Sequence, residues 1–271
     1  MVMAVRAFLV FLVVLIPVAA MAGEFDNGAY ARVLERFVGD DGLVDYAALA
    51  EDRTDLDAAT MAIATIDSAA WAGLDEDQRL AWWINAYNTL TLRLIVNHYP
   101  ITPITEEFPP SSIRQIYGAW SIMKWAVMGL EMDLDEMEHE VMRVQFDEPR
   151  IHMALVCAAV ACPPLRREPY TGARLDAQLE AQSRIFVTDP RNLRIDRAER
   201  VLRLSAIFDW FGGDFVNAYD TGAPPLDDAR DRAVVAFVSR FLPEEDVAWL
   251  AAGDYRILYF EYDWNLNDRT R

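Results

Sequence analysis

The sequence predicts an α+β fold: a single, mainly helical globular domain around a small, mostly antiparallel sheet. Three observations carry that prediction. Long segments repeat apolar residues at three- and four-residue steps, a few short stretches turn back on themselves as hairpins, and no repeat or low-complexity linker divides the chain.

Residues 1–22 are expected to be a signal peptide. Arg6 supplies the positive start, Ala7 to Val18 form an apolar run, and Ala20-Met21-Ala22 gives a small-x-small cleavage pattern before Gly23. The apolar run is short against the roughly 20 residues of a membrane-spanning helix. The mature domain, 23–271, is therefore expected in the periplasm or secreted, with no membrane span after cleavage.

Phe25 to Val38 has helical spacing and stops before Gly39 and Gly42; Tyr46 to about Ile66 is read as a second helix. The strongest helical pattern follows Asp75, where Leu80, Trp83, Ile84, Tyr87, Leu90, Leu94 and Ile95 recur at helical steps until Pro100. That helix is apolar around most of its circumference, so it should be central, and its polar members Asn85 and Asn88 need partners. An amide buried without them costs about 1–3 kcal/mol. They either fix a neighbouring loop or contact a ligand.

A loop rich in Pro, Ser and Thr follows. "KWAVMGLEMDL" then reads as a hairpin around Gly129, and "DLDEMEHEVMR" as a helix capped near Asp133 or Asp135 that carries His139. The apolar run "IHMALVCAAV" reads as a buried strand. Next come a helix over "YTGARLDAQLEAQSRIFV", a hairpin of Leu193 to Asp196 with Val201 to Leu204, and a helix capped by Ser205. Helices from about Asp228 to Phe241 and Glu244 to Ala252, and a closing strand in "YRILYFEYDWNLN", complete the chain.

Asp and Glu number 43 against 25 Lys and Arg, a formal net charge of −18, and Lys124 is the only lysine. Such a surface repels phosphate backbones and anionic lipid, which argues against nucleic-acid and peripheral membrane binding. The expected partner is a small molecule or peptide of the cell envelope.

The chemistry concentrates at Arg150 to Gly172, which holds the only two cysteines, Cys157 and Cys162. Arg150, Arg166 and Arg167 are near enough in sequence to lower a thiol pKa or contact a substrate. In a regular strand His152 and Cys157 face opposite ways, so a dyad of these two neighbours is not expected. His139 arriving from the preceding helix, or His152 acting after a turn, remains open. An exported chain with two cysteines also permits a Cys157–Cys162 disulfide, worth about 2 kcal/mol in the chain-entropy model. Neither a G-x-S-x-G elbow nor paired-cysteine zinc spacing occurs, and no metal or cofactor is expected.

"WWINAYNTLTLRL", "LDEMEHEVMR", "EPRIHMALVCAAVACPPLRREPYTGARLDAQLE" (Glu148 standing where aspartate is usual), "LSAIFDWFGGDF" and "YDWNLN" together resemble the family known as domain of unknown function 547, over about 81–267. The resemblance carries no settled activity. It selects Asn85, Asn88, His139, His152, Cys157 and Asp263 as motif positions, and implies that Cys157 is the functional thiol and Cys162 the dispensable one.

Two functions follow. One is a cysteine-dependent hydrolase or acyltransferase, with Cys157 as nucleophile, His152 or His139 as base, Asp263 as orienter, and Asn85, Asn88, Arg150 and Arg166 contacting substrate. The other is a non-catalytic binding module whose groove draws on Trp82, Trp83, Trp120, Trp125, Trp210 and Trp264, with the cysteines as a structural bridge.

Overall fold

The computed structural model describes residues 25–270; the expected signal peptide lies outside them. The fold is mainly helical α+β, with one two-stranded and one three-stranded sheet among the described residues.

Helix α1 (Gly28–Phe37) buries Tyr30, Val33, Leu34 and Phe37. The helix expected from Tyr46 to Ile66 is broken into α2 (Tyr46–Glu51) and α3 (Thr54–Ala64). The break lies at Asp52, whose carboxylate accepts from Thr54 N and so competes with helix continuation. After α4 (Ser68–Ala72), α5 (Glu76–His98) starts at a capping box: Asp75 Oδ1 accepts from Gln78 N, and Gln78 Oε1 from Asp75 N. It is buried nearly all round, as its sequence demands.

The first hairpin pairs β1 (Trp125–Val127) with β2 (Leu130–Met132). Its turn needs left-handed backbone, which Met128 and Gly129 supply at φ 54° and 77°. Asp133 and Glu136 then bond reciprocally, each side chain accepting from the other's backbone N, and open a π-helical segment, Glu136–Met142, continued by α6 (Arg143–Gln145).

The expected strand over "IHMALVCAAV" does not form. Pro149–Met153 is a 3₁₀ helix with Pro149 in its first turn and Glu148 accepting from Arg150 N; beyond it the chain is irregular, and Ala159 forms only an isolated bridge to Leu266. A short continuous apolar run fits a strand and a buried helical segment equally well. Here a proline and a cap decide for the turn. His152 and Cys157 are therefore not held on opposite faces of one strand.

Helix α7 (Leu175–Thr188) is followed by the hairpin β3 (Leu193–Asp196) and β4 (Val201–Leu204). Ser205 then caps α8 (Ala206–Phe211), with its hydroxyl accepting from Ile207 N. A 3₁₀ turn, Gly212–Phe215, leads into α9 (Val216–Tyr219), α10 (Ala229–Ser239) and α11 (Glu244–Ala251). The closing strand is shorter than expected, β5 (Arg256–Tyr259), and runs parallel to β4.

The apolar interior forms two clusters. One surrounds α5; the other gathers Phe186, Phe208, Phe215 and Phe237 around α8 and α10. No helix among the described residues is long and apolar enough to cross a membrane.

Candidate functional site

Asn85 and Asn88 fix the loops that build the site. Asn88 Nδ2 donates to Ala154 O while its Oδ1 accepts from Val156 N, which fixes the segment leading into Cys157. Asn85 treats Tyr170 the same way, donating to its carbonyl and accepting from its N–H. Each amide stands in for a strand neighbour, and each is buried. Of the two readings of these residues, the structure gives loop fixation; neither lines the cavity described below.

That cavity, of about 490 Å³, lies between the two apolar clusters. Its floor carries Glu138 and His139 from the π-helical segment and His152 from the 3₁₀ turn. His152 is buried, stacks on Phe211 with centroids 4.1 Å apart, and donates from Nε2 to Asp214 Oδ2 at 2.7 Å. That bond assigns the proton to Nε2 and turns Nδ1 toward Glu138 Oε1, 3.8 Å away. Asp214 also takes a two-pronged ion pair from Arg143, at 2.6 and 2.7 Å. Arg143 in turn contacts His139 Nδ1 at 3.1 Å.

The surroundings push these groups apart. Burial acts to raise Asp214, but hydrogen bonds from His152 and Arg143 outweigh it and hold the carboxyl well below the usual range. Burial pushes Glu138 up to about 7, against an opposing interaction with Tyr87. Burial also lowers His152 and His139. Two carboxyls driven in opposite directions beside one imidazole form an acid–base arrangement.

The upper wall is aromatic. Trp210, Tyr262 and Trp264 form a mutual cluster with centroids 4.6–6.1 Å apart, and Trp120 contacts Trp264 at 6.2 Å. Of the six tryptophans expected in a groove, Trp120, Trp210 and Trp264 line the cavity; Trp82 and Trp83 are core, and Trp125 lies in β1, outside the lining.

Cys157 and Cys162 also line the cavity, joined as a disulfide, and the Tyr262 hydroxyl lies 3.2 and 3.1 Å from their sulfurs. The bridged loop carries Ala158 in the left-handed region at φ 58°, a conformation an L-residue adopts at a cost of about 1–2 kcal/mol. Asn267 N donates to the Ala158 carbonyl, and Val160 N to Asn265 O, so the closing segment holds the loop in place. With the bridge closed, neither sulfur is a thiolate.

The remaining expected site residues lie elsewhere. Asp263 is exposed and accepts from Asn265; the carboxylate that meets a histidine is Asp214, which sequence reasoning passed over. Its one sequence signal was its place in "LSAIFDWFGGDF". Arg150 pairs with Glu148 and Asp176, and Arg166 with Glu168, both outside the cavity lining. No group of three or more His, Cys, Asp or Glu with the geometry to hold a metal ion occurs among the described residues.

Residues 71–187 match the family described as "Protein of unknown function, DUF547". The cavity's Tyr87, Glu138, His139, His152 and both cysteines fall inside that match, while its Tyr262 and Trp264, and Asp214 behind His152, lie beyond it. No curated protein and no solved structure matches the chain.

Proposed function

We propose that this chain, a member of the family of unknown function 547, is a non-catalytic ligand-binding module of the cell envelope. It takes a small molecule or peptide into the aromatic cavity, with the Cys157–Cys162 bridge as a fixed part of the wall. The observation that carries this reading is the Tyr262 hydroxyl set against both sulfurs while its ring packs on Trp210 and Trp264. The bridge thereby organises an apolar wall of the kind that ligand pockets use. The sequence of residues 1–22 supports export, and export favours a lasting disulfide.

The test is alkylation of protein purified from an oxidising periplasm without reductant, mapping the peptide that spans Arg150 to Arg166. A quantitative bridge is expected. Free Cys157 would overturn the reading and favour a cysteine-dependent hydrolase or acyltransferase. That second reading draws on one observation: Cys157, His139 and His152 line the same cavity. It needs the bridge reduced, and Asp214 rather than Asp263 as the group that orients His152. It requires an electrophilic acyl probe to label Cys157 and Cys157→Ser to abolish labelling without unfolding the chain.

A further inference from the structure

Arg114 lines the cavity and is exposed, with its guanidinium over two rings: Phe108 at 4.3 Å and Trp264 at 5.0 Å. Among the described residues this side chain is held by aromatic faces and forms no salt bridge with a carboxylate. In a chain of net charge −18, such an arginine at a cavity rim is a local reversal of sign. Its planar fork of donors suits a carboxylate, and the rings preset its orientation.

The same cavity holds the opposite charge. From Arg114 the contacts run through Trp264 to Trp210 at 6.1 Å, then to Phe211 at 6.4 Å, and from Phe211 to His139 at 6.2 Å. Beside His139 lie Glu138 in the cavity floor and Asp135, whose carboxylate is 3.9 Å from His139 Nε2 and 42% exposed. The cavity lining thus holds an exposed guanidinium, two carboxyl groups and aromatic faces; the nearby Arg143 is committed to Asp214.

Resting on the binding-module reading, we propose that the cavity takes a short peptide by both of its ends. The free C-terminal carboxylate meets Arg114, the terminal ammonium meets Asp135 and Glu138, and an apolar side chain lies over Trp210 and Trp264. A zwitterion suits both charges without adding net charge, whereas a dianion such as a phosphate ester meets the repulsion of Asp135, Glu138 and the acidic surface. Aromatic faces supply contact area without demanding one side-chain identity, so selectivity lies in the two ends.

The experiment is calorimetric titration of the bridged, full-length mature protein with the dipeptide Ala-Phe, its C-terminal amide and its N-acetyl form, with indole as a neutral aromatic control. Ala-Phe is expected to bind saturably, and either end-block to weaken it at least about tenfold, the loss of one charge-assisted hydrogen bond. Arg114→Gln is expected to weaken Ala-Phe by a similar factor and to leave the amide within about twofold. Its thermal melt reports whether the exposed substitution leaves the fold intact. Equal losses for acid and amide in Arg114→Gln, or no saturable binding of Ala-Phe, would overturn the proposal. If indole binds and Trp210→Ala abolishes it while Ala-Phe fails, only the peptide assignment falls; if neither binds, the binding-module reading falls with it.

Discussion

Two sets of buried polar side chains in this protein behave in opposite ways. Asn85 and Asn88 on α5, with Gln115 and Gln178, spend both ends of their amides on the backbone of nearby loops. His152, the half-buried Asp214 and Glu138 are bound mainly to one another and to Arg143 and Tyr87, and His152 and Glu138 border a cavity. The first set is neutral and saturated, so it fixes geometry. The second can gain or lose protons, so its state depends on pH and on what enters the cavity. Burial of a polar group therefore does not by itself mark a site; the distinction is whether its partners are backbone or other titratable groups.

Removing Asn88 should give the largest effect. Asn88→Ala leaves Ala154 O and Val156 N without partners, each worth about 1–3 kcal/mol, so a loss of about 2–6 kcal/mol is expected in urea unfolding. A loss under about 1 kcal/mol would show that water replaces the amide and that the first set is less structural than its bonds suggest.

The second set is tested by pH. Glu138 titrates near 7 in the folded chain against an ordinary value of 4.5, so the folded state holds this proton longer. Stability from this group is therefore full below about 4.5 and is lost as pH rises to about 7. Buried His152, lowered from 6.5, acts in the other direction: stability rises as pH climbs toward 6.5. Glu138→Gln should leave the rise and remove the fall. Between pH 5 and 8, measured by urea unfolding, the variant is expected to gain about 2–4 kcal/mol on the wild type. Parallel pH profiles for the two proteins would break the distinction between the sets.

The bridge ranks next. Cys157→Ser with Cys162→Ser should cost about 2 kcal/mol by the chain-entropy relation for so short a loop. It should also weaken indole binding in the cavity by at least about threefold, because the sulfurs that hold the Tyr262 hydroxyl are gone. Asp263→Ala should have the smallest effect, within about 0.5 kcal/mol by thermal melt and without change in binding, because this exposed carboxylate serves only a local turn. A large effect there would restore Asp263 as an orienting residue.

Much of this arrangement was legible in the residues. The period of α5, its Asp75 cap and its stop before Pro100 follow from local rules, as do both hairpins and the Ser205 cap. Local signals failed where two conformations satisfy one pattern: "IHMALVCAAV" is apolar enough for a strand, yet Pro149 and the Asn88 clamp give a turn and an irregular segment. The site was legible in its histidines and cysteines but not in Asp214, which lies 62 residues from His152 on a four-residue 3₁₀ turn. Nothing in its local sequence separates that aspartate from Asp263.

The sequence by itself determined the helices, the hairpins, the acidic surface and the residues able to do chemistry, because propensity, period and charge act over a few residues. Tertiary structure alone decided which carboxylate meets His152, that both asparagines hold loops, and that the two cysteines form a wall beside Tyr262. Those outcomes depend on distances between segments far apart in the chain. They are set by how the two apolar clusters close on one another around a cavity, and no local pattern encodes that closure.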